Sequence, residues 1–595
     1  MQIELSRDRI VNSDHFAIPE MGLLSLLAAS GFLFPLFRLS HFWTSDDVFN
    51  LLNSSGGYTG RPEILNPVIG PEVGLLVTSL YRITSEVPWY PIILVLFPVI
   101  CLFSLIRDVS RYVQTRQLSF ALVAIAVPLL SLIGAKPNYT LSAFVCAATS
   151  TNWLIFRLFG SFTLQRMWAP LWLCLMSISL RTDWPSDRVL SGGPYLFAVF
   201  VACCLVACTP SLWNLQFGAR ALGLLATPLL AHKALQLSIM ARDAEWTTFL
   251  DFYYSRGALN GNSSVIRYLE MESADSIRQA TGLNQLEIYL LRNWALFDSS
   301  NPTTSELDGL YRAAKDWNST NGVIAAVTGP LWSAVQFLVQ FGVLIPLILL
   351  IAGSVAQSTR SSSKRLNLIL STVAVSLPLA LVGLTAHRVR MPDYVAIGCA
   401  TTVVVSAVIL ASINAELAKE GFNGRRAGGA IIFLGSLTFS LLAALPDTVE
   451  AVLRFRTNFE LASETRSEFE STKTSSFPIV GDPTVWSRGY QFAPFDVQVP
   501  ESYAQSMDFS GGSNIRSPMH LRRWNVITGQ NDTDASLFSA SFWSRVKVYR
   551  SLAIELQAGY LQELGFCIRL HPSSHETFRL VADDGCKSDF VYLAV

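Results

Sequence analysis

Charged side chains are scarce in this chain, and neither sign is in excess. Asp, Glu, Lys and Arg make up 15% of its 595 residues, against about 25% in ordinary soluble domains. The 44 basic and 44 acidic residues cancel, which removes the electrostatic case for binding nucleic acid. With 51% hydrophobic residues and a mean hydropathy of +0.38, the composition is that of a polytopic membrane protein.

Several catalytic and structural signatures are missing as well. The chain has no Gly-x-Ser-x-Gly segment, which argues against a serine hydrolase of that type. The turn at 56–60 is rich in glycine but lacks the Lys and Ser/Thr that end a phosphate-binding loop. His571 and His575 have the spacing of a helical metal site, but Pro572 opposes a helix there. The chain has no internal repeat, which disfavours a transporter built of paired halves.

The cysteines are divided between apolar and polar parts of the chain. Seven of the nine lie in apolar segments, where cysteine behaves as a small hydrophobic residue. Cys567 and Cys586 lie in the hydrophilic tail, and their spacing fits no zinc signature. If the tail lies outside the cytoplasm, an oxidising compartment allows these two residues to form a disulfide.

Long apolar runs predict an all-α polytopic fold with about eleven transmembrane helices, each needing roughly 17–25 mostly apolar residues. A further apolar stretch, 67–83, is interrupted by Gly70, Pro71, Glu72 and Gly74, and we interpret it as a re-entrant or interfacial helix. The predicted spans are 19–37, 89–106, 118–135, 140–157, 167–180, 194–209, 220–239, 330–353, 366–385, 394–412 and 428–446.

The basic residues of the loops orient the predicted bundle. Clusters of Arg and Lys recur between alternate spans, which places those loops and the N-terminus in the cytoplasm. No cleavage site follows the first span, so we expect that span to remain as an anchor. An odd number of spans then puts the C-terminus on the other side. We predict a multi-pass protein of the plasma (inner) membrane.

These spans divide the chain into modules that alternate between membrane and water. In chain order they are a cytoplasmic N-terminus at 1–18, a transmembrane module at 19–240 with a first outer loop at 38–88, an ectodomain at 241–327, a second transmembrane module at 328–446 and an extracytoplasmic tail domain at 447–595. In the ectodomain at 241–327, apolar residues at helical spacing over 273–280, 284–297 and 307–317 predict a helical fold.

The tail predicts a small mixed α/β domain. A helix-like run at 541–564 is followed by strand-like runs at 566–570, 578–581 and 590–595. Segment 498–515 is rich in Pro, Gly and Ser, and we expect it to be disordered.

The pair Asp46-Asp47, at the start of the first outer loop, is the most informative feature of the chain. Two carboxylates at the mouth of a membrane bundle are costly to hold near hydrocarbon, which favours a functional role. Such a carboxylate could act as a general base or bind a divalent cation such as Mg²⁺ or Mn²⁺. Adjacent helical residues point about 100° apart, so we expect the two acids to have different roles. A solvated acidic loop is the simpler alternative.

Two short outer turns carry arginines, against the usual charge distribution. Arg181 begins one turn, and Arg388 and Arg390 lie in another. Arginine suits bidentate contact with phosphate, so these three residues are candidates to hold the phosphate of a lipid-linked substrate. The alternatives are snorkelling to lipid headgroups and, for Arg181, a salt bridge to Asp183.

Polar residues beside the two clusters are candidate substrate contacts. Tyr58, Arg61 and Glu63 follow the acid pair in the first outer loop, and His387 adjoins the second basic turn. His232 lies in the predicted span 220–239, where an ionisable residue usually faces the bundle interior. A proton relay through it would need an acidic partner, which its own span lacks.

Short motifs are distributed along the first two thirds of the chain. They are Ser-Asp-Asp at 45–47, Gly-Tyr-Thr-Gly-Arg-Pro at 57–62, Leu-Tyr-Arg at 80–82, Pro-Trp-Tyr at 88–90, Leu-Arg at 180–181, Glu-Trp-Thr-Thr-Phe at 245–249, Tyr-Ser-Arg at 254–256, Leu-Arg-Asn-Trp at 291–294 and Phe-Asp at 297–298. In these motifs the chain is similar, over about 30–390, to a group of bacterial polytopic membrane proteins. That group has Asn at the position of Ser45.

An uncleaved first helix, an outer loop beginning with paired acids, further spans and an outer tail resemble the GT-C superfamily of membrane glycosyltransferases. This resemblance implies transfer of a sugar from a polyprenyl-phosphate carrier to an envelope glycan or glycolipid, at the outer face of the lipid bilayer. It implies that Asp46 or Asp47 is the base or metal ligand. The alternatives are a polysaccharide polymerase or ligase that relies on Arg388 and Arg390, a transporter or flippase, and an envelope-assembly scaffold.

Overall fold

Helices dominate the structure, a computed structural model that describes residues 39–321 with short gaps, residues 392–417 and 448–463, and short stretches of the N-terminal segment and the tail. The helices, in chain order, are α1 (Ser45–Ser55), α2 (Pro71–Ile83), α3 (Trp89–Tyr112), α4 (Arg116–Ala135), α5 (Tyr139–Gly160), α6 (Leu164–Leu180), α7 (Gly193–Ala207), α8 (Leu215–Met240), α9 (Ala244–Gly261), α10 (Ser263–Met271), α11 (Ala274–Thr281), α12 (Gln285–Arg292), α13 (Thr304–Asn321) and α14 (Asp393–Leu417).

Four helices among the described residues are long and apolar enough to cross a membrane, and each overlaps a predicted span. They include Trp89–Ser110, Tyr139–Phe159, Gln216–Ile239 and Asp393–Leu410. Helices α4, α6 and α7 are shorter and coincide with three more predicted spans. The predicted spans 330–353, 366–385 and 428–446 and most of 19–37 lie outside the described residues. The total of eleven spans therefore stays a prediction.

Helix α5 lies at the centre of the bundle, packed against α3, α6, α7 and α14. Its many small residues let neighbouring helices approach closely, as in other membrane bundles. The closest approach is at Gly398 of α14, where a β-carbon would lie 2.5 Å from the ring of Phe144. About two helical turns further along α5 and α14, the Asn152 side chain donates a hydrogen bond to Ser406 Oγ at 2.8 Å.

The two ends of this bundle differ in chemistry. At one end, Asp108 Oδ2 accepts hydrogen bonds from Trp153 Nε1 and Arg157 Nε, both at 2.6 Å. Arg157 also donates to the carbonyl of Arg166. Asp108, Arg157 and Arg166 lie at loops that are predicted to be cytoplasmic, and Trp153 lies one helical turn before Arg157. At the other end, His41 N donates a hydrogen bond to the carbonyl of Ala135 at 2.9 Å. The first loop therefore packs against the turn between α4 and α5, at the end of the bundle opposite Asp108. The helices thus alternate in direction as the spans predict.

Helix α2 is too short to cross a bilayer. Its 13 residues rise roughly 20 Å, against a hydrocarbon thickness of about 30 Å. Its start is fixed to the end of α6, because Gly70 N donates to the carbonyl of Ser179 at 2.6 Å and Val73 N donates to Ser179 Oγ at 2.9 Å. This length and this attachment fit the re-entrant or interfacial interpretation of 67–83.

The segment after α8 is helical, as its apolar spacing predicts. Helix α11 covers 273–280 closely, and α12 and α13 fall on the other two predicted runs. Ser273 caps α11 by accepting a hydrogen bond from Ser276 N at 3.2 Å, and Gly282 ends it in the left-handed region with φ of +80°. Helices α10 and α11 both pack on α13.

The tail contributes a five-stranded sheet in the order β2-β1-β3-β5-β4. Strands β1 and β2 and strands β1 and β3 are parallel, whereas β5 runs antiparallel to both β3 and β4. The strands are β1 (Ile479–Gly481), β2 (Met507–Phe509), β3 (Lys547–Tyr549), β4 (Ile568–Pro572) and β5 (Thr577–Ala582).

Two predictions for the tail are wrong at these strands. Strand β3 lies inside the run predicted to be helical at 541–564, because Val548 and Tyr549 favour extended backbone and pair with β1 and β5. Strand β2 lies inside the segment predicted to be disordered at 498–515, because pairing with β1 supplies order that its local composition does not. The runs at 566–570 and 578–581 do overlap strands β4 and β5.

The contact between Gly398 and Phe144 predicts a position-specific packing defect. We expect Gly398→Ala to lower the free energy of unfolding by about 1–3 kcal/mol, because the new methyl group overlaps a buried ring. Gly223→Ala on α8 is the matched control, since nothing lies within 4 Å of a β-carbon there. Thermal unfolding of the purified full chain should show a lower midpoint for the first variant only. Equal midpoints would contradict the α5–α14 packing.

Candidate functional site

Helix α1 presents the acid pair at its first turn. It begins at Ser45 after Thr44, whose backbone is extended, and both acids lie where the helix dipole favours negative charge. The two side chains diverge around the helix. Asp47 is fully buried, whereas Asp46 is half-buried at the surface. The two acids therefore have different surroundings, and their different roles stay a prediction.

The Asp47 carboxylate is the centre of a hydrogen-bond network. Its Oδ1 accepts from the Tyr90 hydroxyl at 2.9 Å and from Tyr139 N at 3.1 Å. Its Oδ2 accepts from Thr44 Oγ1 at 2.7 Å and from Asn138 Nδ2 at 3.1 Å. Four donors from three separate parts of the chain thus converge on one side chain, which ties α1 to the starts of α3 and α5.

Burial dominates the electrostatics of this carboxylate. Burial raises the pKa of Asp47 from 3.8 to about 7, although hydrogen bonds from Thr44, Tyr90 and Tyr139 favour the charged form. Both oxygens already have two donors each, so they are poor ligands for a metal ion. Among the residues that the structure describes, no three His, Cys, Asp or Glu side chains are grouped closely enough to hold one. A Mg²⁺ or Mn²⁺ ion at Asp46 or Asp47 therefore stays a prediction.

Arg181 reaches the same network through Tyr139. Its Nη1 donates hydrogen bonds to the Tyr139 hydroxyl and, at 2.7 Å, to Thr140 Oγ1, and its guanidinium lies 4.9 Å from the centre of the Tyr139 ring. Tyr139 therefore contacts Asp47 with its backbone and Arg181 with its ring and hydroxyl. Asp47 and Arg181 are 134 positions apart in the sequence, yet both contact Tyr139 in the structure. Asp183 lies outside the described residues.

The network continues from Tyr90 towards a cleft. The hydroxyl of Tyr90 accepts from Asn50 Nδ2 at 3.0 Å, and Asn50 Oδ1 accepts from Asn66 Nδ2 at 2.8 Å. Asn66 Oδ1 in turn accepts from Val68 N at 3.0 Å. The carbonyl of Val68 accepts from Thr182 N at 3.1 Å, next to Arg181. Two chains of contacts thus lead from Asp47 to the segment 66–68. One runs through Tyr90 and Asn50, and the other runs through Tyr139, Arg181 and Thr182.

That segment forms one wall of an open cleft between α2, α6, α8 and α9. The cleft has a cavity volume of about 20 Å³, room for about one water molecule and far below the roughly 300–1,000 Å³ of ligand pockets. Its lining combines side-chain amides and hydroxyls with two aromatic side chains. The lining residues are Leu65, Asn66, Pro67, Ile69, Gly70, Pro71, Thr182, Gln236, Ile239, Trp246, Leu250 and Tyr254.

A buried acid–histidine pair lies beside this cleft. His232 Nδ1 is 2.9 Å from both carboxylate oxygens of Glu72, His232 is fully buried and Glu72 is 8% exposed. Sequence reasoning missed the pair because the partners lie 160 positions apart. Glu72 and His232 are each an ionisable residue in an apolar segment, and a buried ionisable residue requires a partner. This shared property is the signal from which the pair could have been predicted.

Tyr58 and Glu63 hold the tail against the first loop. The Tyr58 hydroxyl is hydrogen-bonded to His520 Nδ1 at 2.9 Å, and both residues are buried. Glu63 Oε1 lies 3.4 Å from Arg522 Nη2 and 3.2 Å from Arg61 Nε. In this arrangement the polar atoms of Tyr58 and Glu63 serve intramolecular contacts, whereas Arg61 is 66% exposed. Their predicted contacts with substrate stay predictions.

A second tail segment pairs with the residues just before α1. Phe42 N donates to the carbonyl of Gln491 at 2.7 Å, and Gln491 Nε2 donates to the carbonyl of Phe42 at 2.9 Å. The His41 ring stacks on Phe492 with centroids 5.3 Å apart. Burial, followed by the charge of Lys136, lowers the pKa of His41 to about 4, so this ring is neutral near pH 7.

The remaining predicted site residues lie outside the described residues. These are His387, Arg388 and Arg390 in the second basic turn and Cys567 and Cys586 in the tail. The chain matches no protein-family model, no curated protein and no solved structure.

The raised pKa of Asp47 predicts a pH-dependent stability. The folded chain holds the proton more tightly than the unfolded chain between pH 3.8 and about 7, so the free energy of unfolding should fall as pH rises through that window. The slope approaches about 1.4 kcal/mol per pH unit for one group. Chemical unfolding of the purified protein at several pH values measures it.

Asp47→Asn should remove this slope. It should also lower stability by about 1–3 kcal/mol, because an amide group replaces an oxygen that faces two donors. Asp46→Asn, at the half-buried neighbour, should change both properties much less, because the charge of Asp46 is the smallest of the causes that shift the pKa of Asp47. A wild-type slope that persists in Asp47→Asn would show that another group is responsible.

Proposed function

We propose that this protein is a membrane glycosyltransferase of GT-C type, which moves a sugar from a polyprenyl-phosphate donor to an envelope glycan or glycolipid. The observation that supports the proposal most is that Asp47, the neighbour of Asp46 in the first loop, and Arg181 both contact Tyr139. A carboxylate and a cation that contact the same tyrosine at one end of an apolar bundle are the two kinds of charge that such a transfer needs.

The acid pair would divide its roles between surface and interior. Asp46 is half-buried and is the carboxylate that can meet an acceptor. It would take the proton from the acceptor hydroxyl as that oxygen forms its bond to the anomeric carbon. Asp47 has both oxygens occupied and would act as a positioning residue that fixes the start of α1.

Arg181 would stabilise the leaving group. As the bond between the anomeric carbon and the phosphate oxygen breaks, negative charge grows on the lipid-linked phosphate, and a guanidinium is suited to bind it. Tyr139 and Thr140 already orient this side chain. No step is assigned to a metal ion, because the described residues do not offer a ligand set for one.

The apolar helices around this end suit a lipid-linked donor. Helix α8, which borders the cleft, exposes Leu222, Leu230 and Leu237 along its length. A polyprenyl chain could lie against such a surface while its phosphate reaches the polar network. Outer-leaflet placement of this end follows from the loop charges and belongs to the same proposal.

The proposal predicts that Asp46→Asn and Arg181→Gln lose transfer without losing the fold. We expect at least a ~100-fold fall in activity for Asp46→Asn, the usual effect of removing a general base. Arg454→Gln, at a side chain that is 72% exposed, is the charge-matched control and should retain activity. In a strain that lacks the wild-type protein, each variant would be compared at equal membrane levels for its envelope glycans and lipid-linked sugars.

Accumulation of a polyprenyl-linked sugar in the two variants, with wild-type unfolding midpoints, is the expected result. Wild-type glycans in both would overturn the proposal. Loss of lipid-linked sugar from the outer leaflet instead of its accumulation would indicate a flippase.

A further inference from the structure

A helix at 448–463 exposes several large apolar side chains. Among the described residues, eighteen large apolar side chains are exposed, and five of them lie on this helix. Eleven of the other thirteen lie on predicted membrane spans or on α2. The helix at 448–463 therefore has the surface character of the membrane-facing parts of the chain, although it follows the last predicted span. Its exposed apolar residues are Val449, Val452, Leu453, Phe459 and Leu461.

Most of these side chains lie on one side of the helix. At about 100° per residue, four of the five, all but Leu461, fall within an arc of about 120°. The ring of Phe455 borders this apolar arc and stacks on Phe459 with centroids 5.4 Å apart. Ala451 and Ala462, which are 2% and 4% exposed, lie on the opposite side. The helix thus packs on the rest of the chain through small residues and turns its apolar arc away from it.

The start of this helix lies at the end of the membrane bundle. Glu450 Oε2 is 3.8 Å from Nζ of Lys136, and Lys136 lies in the turn between α4 and α5. Both of these helices coincide with predicted spans, and a short turn that joins two spans lies at the surface of the bilayer. In the sequence, the helix closely follows the predicted span 428–446. Its first turn is therefore held at the level of the lipid headgroups.

The charges of the helix cancel. Its two arginines and two glutamates form ion pairs, Arg454 with Glu450 at 3.2 Å and Arg456 with Glu460 at 3.0 Å. The second pair falls within the apolar arc, where the long side chain of Arg456, 90% exposed, can extend to the headgroup layer. Because no net charge remains, contact with the bilayer depends on apolar area and needs no anionic lipid.

We propose that the helix at 448–463 lies along the bilayer surface beside the bundle, with its apolar arc among the lipids. Amphipathic helices of this kind bury their apolar side about 5–10 Å into the boundary between headgroups and acyl chains. The contact would anchor the start of the tail domain to the membrane that the bundle crosses. This inference concerns the fold of the tail on the membrane and does not depend on the proposed glycosyl transfer.

A depth measurement on the full chain tests this contact. A fluorescent amino acid is placed at one position at a time by stop-codon suppression, and single copies of the protein are reconstituted in phosphatidylcholine nanodiscs. Phosphatidylcholine brominated on its acyl chains then replaces the ordinary lipid and quenches fluorophores that reach those chains. The labelled positions are Leu453 and Phe459 in the arc and, as the control, Arg454 on the opposite side of the same helix. All three are exposed, so the fold should tolerate the label, and unfolding midpoints check this.

We expect the labels at Leu453 and Phe459 to lose at least about half of their fluorescence in brominated discs, as a depth of about 5–10 Å requires, and the label at Arg454 to lose little. A disc that holds one copy of the chain and only lipid leaves no second copy or other protein to cover the arc.

Three results would overturn the proposal. Absence of quenching at both arc positions would assign the arc to a protein partner. Quenching at Leu453 without quenching at Phe459 would show that the helix stands away from the surface. Equal quenching at all three positions would show that the helix has no lipid-facing side.

The apolar side chains themselves can be tested in the same discs. With the label at Leu453, the double substitution Val449→Gln and Val452→Gln should lower the quenching towards the level at Arg454, because the arc loses apolar surface. Thr457→Gln, at an exposed position outside the arc, is the control and should leave the quenching unchanged. Wild-type quenching in the double variant would contradict the role of the arc.

Discussion

Removal of the Asp47 carboxylate from water is the constraint on which the candidate site depends. A fully buried acid is stable only if the chain surrounds it with donors, and here the donors come from Thr44, Tyr90, Asn138 and Tyr139. Their positions fix the rotation of α1 and the starts of α3 and α5. The positions of Asp46, its half-buried neighbour, and of the Arg181 guanidinium then follow from the placement of Asp47.

Polar pairing recurs at two more buried acids among the described helices. Asp108 is satisfied by Trp153 and Arg157 at one end, and Glu72 by His232 near the other. These contacts cross between helices, so each fixes the relative rotation of two elements that apolar packing alone would leave free to slide. The bundle is therefore specified by few polar contacts within a large apolar interior.

The sequence predicts most of the helices, because a run of apolar residues has few alternatives to a helix in a membrane. It also identifies the acid pair and Arg181 as unusual. It does not tell which acid is buried, since helix rotation is set by distant residues such as Tyr139. The partnership of Glu72 with His232 depends on a fold that brings two apolar segments together. Strand β3 was hidden in a helix-like run because pairing across the sheet outweighs local preference.

The hydrogen bond between Tyr58 and His520 joins positions 462 residues apart. A ribosome adding about 5–20 residues per second would synthesise His520 tens of seconds after Tyr58, long after the early helices could insert. During that interval the first loop has no tail against which to pack. The surroundings of the acid pair are thus completed only after His520 has been synthesised, so a chain that stalls before residue 520 would have its early helices but an unfinished site.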